Sequence, residues 1–539
     1  MTLNRLIAGV VALVLPAYAV AQSGTAQDVS RSVRWWDDVK AIGSDANEGR
    51  GTGTTGHLRA VGYVERRFRE IGLAPAGAQA SYRQTVPLEE QTIDHSASSV
   101  SLIDQSGTKQ PLALDRDMII SAYGGPRAAA TEAPLVFIGY GMHLPAFGHD
   151  DFAGVDLRGK IAVAISGGPP NIPAPIKANQ RKERLRLLGR SGAAGLIMLT
   201  SPNMVEIPWS RQLLLARQSQ MYLSDRSLRD IPDGFFLASM APDSSEALFA
   251  GSGHDFASLA TAADTSAPLP KFELSYKLGA TVTARRRRLT SPNLVAVLAG
   301  SDPRLAREYV ILSAHLDHVG IGPEVDGDAI YNGAIDDGSG VASVLDIAAR
   351  LAAGPRPKRS ILVLIVTAEE PGLLGSTYFA RFPTVPRQGL VANLNFDTLL
   401  PLWPLTEILA QGDGESSLGD NARTVAARQG LRLVPDPLPH RNSFVRTDQY
   451  SFVRAGIPAL ALKFGFTPGS EAFRLEQAWR ANRYHAPSDD INQPGIMPVE
   501  AIRLDDYAVA LAIDIANAPS RPRWTSDSIF GPPATEKGQ

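Results

Sequence analysis

Apolar positions along this chain change texture twice. Within Val33–Leu73, Ala60, Val61, Val64, Phe68 and Ile71 recur at helical spacing and Gly72 closes the run, which predicts helix. The glycine-rich stretch Gly49–Gly56 lacks the Lys-Ser/Thr ending of a phosphate loop and is read as a surface loop. From about Ser98 to Pro270 the pattern becomes short strands and turns. Leu135–Tyr140 and Ile161–Ile165 are predicted strands, Arg181–Arg190 is a basic helical segment, and Gly192–Leu199 turns into another strand. That order suggests a self-contained β-rich α/β module. From Pro292 onward, long apolar runs alternate with helices. The predicted strands are Leu294–Leu298, Tyr309–Ala314, Ser360–Thr367, Leu390–Phe396 and Ile457–Phe464. Val341–Leu351, Ser376–Arg381, Ser417–Gln429 and residues 501–515 supply helices. Near-continuous apolar strands between helices imply strands buried on both sides. The expected fold class is α/β: a mainly parallel, mixed sheet flanked by helices on both faces, with the β-rich module inserted.

The changes of texture place domain boundaries. Residues 30–95 and 280–518 form one discontinuous domain, 96–279 the insert, and 519–539 a tail rich in Pro, Ser and charge that is expected to be loosely ordered. Residues 1–21 read as a secretory signal peptide: Arg5, an apolar run from Leu6 to Val20, and the small-x-small site Ala19-Val20-Ala21. The run is short for a bilayer span of about 20 residues. The expected location is therefore periplasmic or extracellular, with the mature chain starting near Gln22 and no stable membrane insertion once the signal is removed.

Composition narrows the chemistry. A net charge of −2 over 539 residues gives no field for nucleic acid or anionic lipid. The one basic block, Arg285–Arg288, is read as a solvated strand or loop edge. The chain has no cysteine, which excludes disulfides, a thiol nucleophile, thiolate ligands and a lipidated cysteine. Any metal must be held by His and carboxylates.

Such residues gather at strand ends. Tyr309–Ala314 runs into His315-Leu316-Asp317, Ser360–Thr367 into Glu369-Glu370, and Leu390–Phe396 into Asp397. Parallel strands bring their carboxyl ends to one crevice. Like-charged carboxylates gathered there repel unless a cation compensates, so a divalent metal site is the economical reading. The loop Asn332–Gly340 adds Asp336 and Asp337, and Arg483–Asp490 adds a late histidine, His485. His318, His143 and His440 are assigned to structural or surface roles.

Taken together, His315-x-Asp317, Asp336-Asp337-Gly338-Ser339-Gly340, Glu369-Glu370, Asn395-Phe396-Asp397 and Tyr484-His485 resemble the co-catalytic zinc aminopeptidase family. That family also includes glutamate carboxypeptidases and glutaminyl cyclases. The insert, with Gly139-Tyr140-Gly141 and Gly159-Lys160-Ile161, looks like a protease-associated domain. The resemblance implies a zinc-exopeptidase type fold and a secreted metallo-aminopeptidase that acts on peptide substrates. It implies two divalent metal ions bridged by Asp336, one also held by His315 and Asp397, the other by Glu370 and His485. Zinc suits such ligands first, and manganese or cobalt also fit. Glu369 is the implied general base, Asp317 the residue that orients the His315 imidazole, and Tyr484 the oxyanion stabiliser.

Two segments depart from the family pattern or extend it. Thr398–Trp403 replaces a common Met and Gly, forming either an apolar lip or plain packing. Asp448 is a candidate for the substrate's ammonium, or for a salt bridge to Arg446 or Arg454. With no basic cluster evident for a substrate carboxylate, aminopeptidase is the first reading. A glutaminyl cyclase, a carboxypeptidase or dipeptidase of the same family, and a non-catalytic receptor-like binding protein are the alternatives.

Overall fold

The computed structural model describes residues 26–205, 208–441 and 443–531, so the expected signal peptide and residues 532–539 lie outside the described residues. One continuous sheet runs through the protein. Its C-terminal part is ordered Arg432–Val434, Glu407–Gln411, Ala459–Phe464, Leu390–Phe396, Tyr309–His315, Ser360–Val366. The four strands from Ala459–Phe464 to Ser360–Val366 are mutually parallel. Ser360–Val366 and Leu390–Phe396 are buried at every position, which is why their sequences show no alternation. The helices Thr55–Ile71, Gly338–Ala353, Leu418–Arg428 and Pro498–Asn517 cover one face. Leu374–Arg381 and Gln449–Arg454 cover the other. The fold is thus mixed α/β with a mostly parallel central sheet between helical layers.

Two long antiparallel strands, Arg83–Ile103 and Phe272–Leu298, carry the sheet into the middle of the chain. Leu294–Leu298 pairs with Ser360–Val366, whereas Phe272–Thr281 pairs with Ala130–Phe137. Beyond that lie Ile161–Ile165, Gly195–Leu199 and Phe236–Met240, all parallel. A separate apolar core forms around this extension, built from residues between Ile93 and Val282. Leu294–Leu298 is therefore the end of a 27-residue strand, not a short strand of its own. The sequence pattern conceals this because Arg285–Arg288 interrupts the apolar run. Those arginines lie exposed on the strand, opposite Arg83–Ile103, where Arg287 pairs with Glu90.

Three further expectations need correction. Residues 33–73 are two helices, Ala26–Ile42 and Thr55–Ile71, separated by a turn at Asp45–Arg50. The Gly49–Gly56 segment is not a surface loop, since Gly49, Arg50 and Thr52 are buried. Through residue 531 the tail is not loose. Ser417 N–H donates to Arg523 O at 2.8 Å, and Thr525 N–H to Glu415 O at 3.0 Å. Trp524 and Phe530 pack on the core, and those two aromatics offset the chain entropy that the polar composition implied. Among the described residues no helix is long and apolar enough to cross a membrane.

Candidate metal centre

The adjacency of Leu390–Phe396, Tyr309–His315 and Ser360–Val366 places three carboxyl ends side by side. His315 Nε2 lies 3.3 Å from Asp336 Oδ1, and His485 Nε2 lies 3.2 Å from both Asp336 Oδ2 and Glu370 Oε2. Ligand atoms of His315, Asp336 and Asp397 fall within 4.8 Å of one another, as do those of His318, Asp336 and Glu370. The structure thus brings His315, Asp336, Glu370, Asp397 and His485 into one cluster centred on Asp336. His318 joins them: its Nδ1 is 2.6 Å from Glu370 Oε1 and it is buried, so the structural or surface reading of this histidine missed its place in the site. The H-x-D-H spacing was the available signal. His143 pairs with Asp150 in the insert, and the side chain of His440 lies outside the described residues.

Beneath the cluster is a floor of buried, fully engaged polar groups. Asp317 was expected to hold the His315 imidazole with its side chain. Instead its backbone carbonyl meets His315 Nδ1 at 3.0 Å. Its carboxylate accepts from Glu369 N–H at 3.0 Å, Glu370 N–H at 3.3 Å and the Thr52 hydroxyl at 3.0 Å. The side chain therefore fixes the turn that carries both glutamates. Asp337 caps Gly338–Ala353 by accepting from Gly340 N–H at 2.9 Å, and it also binds the N–H groups of His315 and Thr398. One carboxylate thereby links three loops. A Cβ at Gly340 would lie 2.3 Å from Asp337 Oδ1, so only glycine fits. Asp489 accepts from the N–H groups of Ile335 and Asp336 and from Gln493. Arg50, wholly buried, donates to the carbonyls of Leu316, Ile42, Asn332, Gly333 and Asp336. Ala368, Thr398 and His485 all adopt left-handed backbone beside the ligands, a strain typical of functional sites.

The remaining candidates divide. Burial lifts the Glu369 carboxyl well above its usual range, and Asp448, Glu370 and Asp397 add to this against the opposing pull of His315. Burial also holds the Tyr484 phenol protonated, and its ring stacks on His485 at 3.9 Å between centroids. Asp448 does not reach the cleft surface. It is fully buried beside Ser376, where burial pushes it up to about 7, and Arg454 pairs with Asp230 instead. Neither a substrate-facing role nor an ion pair to Arg446 or Arg454 is formed among the described residues.

The donor set fits a divalent metal. Imidazole nitrogens and carboxylate oxygens converge, and Asp336, Glu369, Glu370 and Asp397 crowd one buried place that only a cation relieves. Residues 293–511 match peptidase family M28. The match lies within the C-terminal half of the chain. Over 264 residues it is 30% identical to the probable leucine aminopeptidase 2 of Aspergillus oryzae, covering 44% of this chain and 48% of that protein. Over 270 residues it is 31% identical to the probable lipoprotein aminopeptidase of Mycobacterium tuberculosis, covering 45% and 50%. The chain spans about half the length of these curated relatives. In fold it is similar to an aminopeptidase from Aneurinibacillus sp. strain AM-1, with a TM-score of 0.51 at 19% identity over 94% of this chain and 98% of that one.

Around the candidate metal centre opens a cleft of ≈ 440 Å³. Tyr123, Leu185 and Asp230 reach into its wall from the 96–279 region. Arg441, Arg446, Lys463 and Arg480 line it too, a basic group that no contiguous motif announced. Glu476 bonds Arg441 and Arg480, each at 2.9 Å, and Lys463 Nζ lies 3.8 Å from Asp397. Of the Thr398–Trp403 segment, Thr398 alone lines the cleft, while Leu399, Leu400 and Trp403 are buried in the core. Packing, not an apolar lip, accounts for it.

Proposed function

We propose that this chain is an exported di-metal aminopeptidase of the M28 family. The observation that carries the reading is the pair of donor clusters sharing Asp336 beside the Glu369 carboxyl. His315, Asp336 and Asp397 would hold one divalent ion, and Asp336, Glu370 and His485 the other, with zinc first. His318 would brace Glu370. Ions held there supply Lewis acidity and an acidified water. Glu369, made more basic by burial, takes a proton from the attacking water and returns it to the departing amine. Tyr484, held as a phenol, donates its hydrogen to the oxygen that gains charge. Asp317 keeps Glu369 and Glu370 in place through their backbone N–H groups.

The basic cleft wall favours one competing reading, a carboxypeptidase or dipeptidase. Leucine p-nitroanilide and its N-acetyl derivative separate the two. An aminopeptidase releases p-nitroaniline only from the free amine and loses this activity on chelation. Equal cleavage of the acetylated compound, or indifference to chelation, contradicts the proposal.

Residues 96–279 are proposed as a protease-associated domain, supported by their separate core and by their contribution to the cleft wall. Export rests on the apolar leader Leu6–Val20 and the small-x-small site after it.

A further inference from the structure

A second, larger cavity of ≈ 510 Å³ lies along the seam between the 96–279 region and the peptidase domain. The 96–279 region contributes Arg186, Arg190, Arg226 and Arg229 to its lining. The peptidase domain contributes Arg381, Arg387 and Arg454. The chain as a whole carries a net charge of −2, so this convergence is local. Isolated surface arginines are ordinary solvated side chains, but seven drawn from both domains onto one cavity are not. Four carboxylates pair with part of the group: Asp233 with Arg226 and Arg229, Asp230 with Arg454, Glu183 with Arg186, and Glu89 at 3.7 Å from Arg229. Arg190, Arg381 and Arg387 have no carboxylate within salt-bridge distance among the described residues, and all three are exposed. Arg229 is by contrast fixed: its side chain is 4% exposed, bonded to Leu223 O at 2.8 Å and Ser224 O at 3.1 Å, and stacked 4.7 Å from the Tyr222 ring centroid. The lining therefore combines one fixed guanidinium with three exposed ones, of which Arg381 lies 5.7 Å from the Phe382 ring centroid. Guanidinium forks match carboxylate oxygens two at a time.

This cavity adjoins the metal cleft, and Asp230 lines both. A small third cavity of ≈ 50 Å³ shares Tyr123, Gly372 and Leu373 with the cleft, and Arg229, Thr377 and Arg454 with the larger arginine-lined one. Asp230 lines all three. The helix Leu374–Arg381 begins four residues after Glu370, and Arg381 at its far end lines the arginine cavity. Eight residues at 1.5 Å each make it about 12 Å long. An extended peptide covers that distance in about four residues.

Resting on the exopeptidase reading, we infer that the seam is a downstream subsite which selects peptides carrying carboxylates about four residues beyond the scissile bond. The amino end sits at the metal centre, the chain lies along the seam past Asp230, and its acidic portion meets the exposed arginines of the second cavity. The carboxylates can come from acidic side chains or from the C-terminus of a short peptide.

The test compares three hexapeptides: Leu-Ala-Ala-Ala-Glu-Glu amide, Leu-Ala-Ala-Ala-Gln-Gln amide, and the latter as a free acid. Wild type should favour the Glu-Glu amide over the Gln-Gln amide by about tenfold in kcat/KM at low salt. A preference for the free acid over its amide would assign part of the effect to the C-terminus. In the double variant Arg381→Ala, Arg387→Ala the preference should shrink to about twofold or less. Cleavage of leucine p-nitroanilide, too short to reach the second cavity, should stay unchanged. A ratio near one in wild type, or an undiminished ratio in the variant, overturns the inference while leaving the aminopeptidase reading intact. Failure to cleave leucine p-nitroanilide overturns that reading instead. In that event, calorimetric binding of the Glu-Glu and Gln-Gln amides to wild type and to the double variant decides the subsite by the same ratios.

Discussion

The floor of the metal centre and the wall of its cleft are built in opposite ways. In the floor, Arg50, Asp317, Asp337 and Asp489 are buried and every one of them bonds backbone groups of the loops that carry ligands. In the wall, Arg441, Arg446, Lys463 and Arg480 are half-buried or exposed and share the cleft with Tyr123, Leu185 and Asp230 of the 96–279 region. A buried polar group is costly to leave unpaired, so the floor tolerates little change. An exposed cation such as Arg446 contributes little to stability. The floor accordingly holds the ligand-bearing loops in place, and on the proposed function substrate choice falls to the wall.

Substitutions can break or sharpen that contrast. The largest effect is expected at the point where floor meets reactants. Glu369→Ala should lower kcat by about a thousand-fold with metal content unchanged, by steady-state assay and elemental analysis. Arg50→Met removes one fully buried cation from five carbonyl partners and should cost about 3–5 kcal/mol of stability, read by denaturant unfolding, with metal lost alongside.

A smaller effect concerns His57, buried beside Ser291 and Thr367 under the same loops. Burial, with the nearby Arg50 charge, pushes its imidazole down to about 3. The unfolded imidazole takes up its proton near pH 6.5, the folded one only near 3. Stability is therefore full above pH 6.5 and declines as pH falls towards 3, by about 2 kcal/mol between 6.5 and 5. His57→Gln should flatten that slope in pH-dependent melting. The smallest effect belongs to the wall: Arg446→Ala should raise KM by about two- to threefold for peptides and leave kcat and melting temperature alone.

What the sequence made legible follows the same divide. Strands buried on both faces, such as Ser360–Val366, announce themselves as unbroken apolar runs, and the acids at their ends come with them. Short polar spacings therefore led to His315, Asp336, Glu369, Glu370 and Asp397, residues that the fold gathers. Arg50 was not legible, because a lone arginine in a glycine-rich stretch looks like a solvated loop until its carbonyl partners, 266 and more residues away in the case of Leu316, are in place. Asp448 misled for the converse reason: proximity in sequence to Arg446 and Arg454 says nothing about which way a helix-capping residue faces. The wall and the arginine seam depend on residues far apart in the chain, and no local period encodes those contacts.

The central claim is that Asp336 is shared by two metal ions. Elemental analysis of the purified protein and of Asp336→Asn, both verified as folded by circular dichroism, tests it directly. Wild type should hold about two divalent ions per chain, and the variant one or none together with loss of peptide hydrolysis. Two ions retained in the variant, or no more than one in active wild type, would contradict the account.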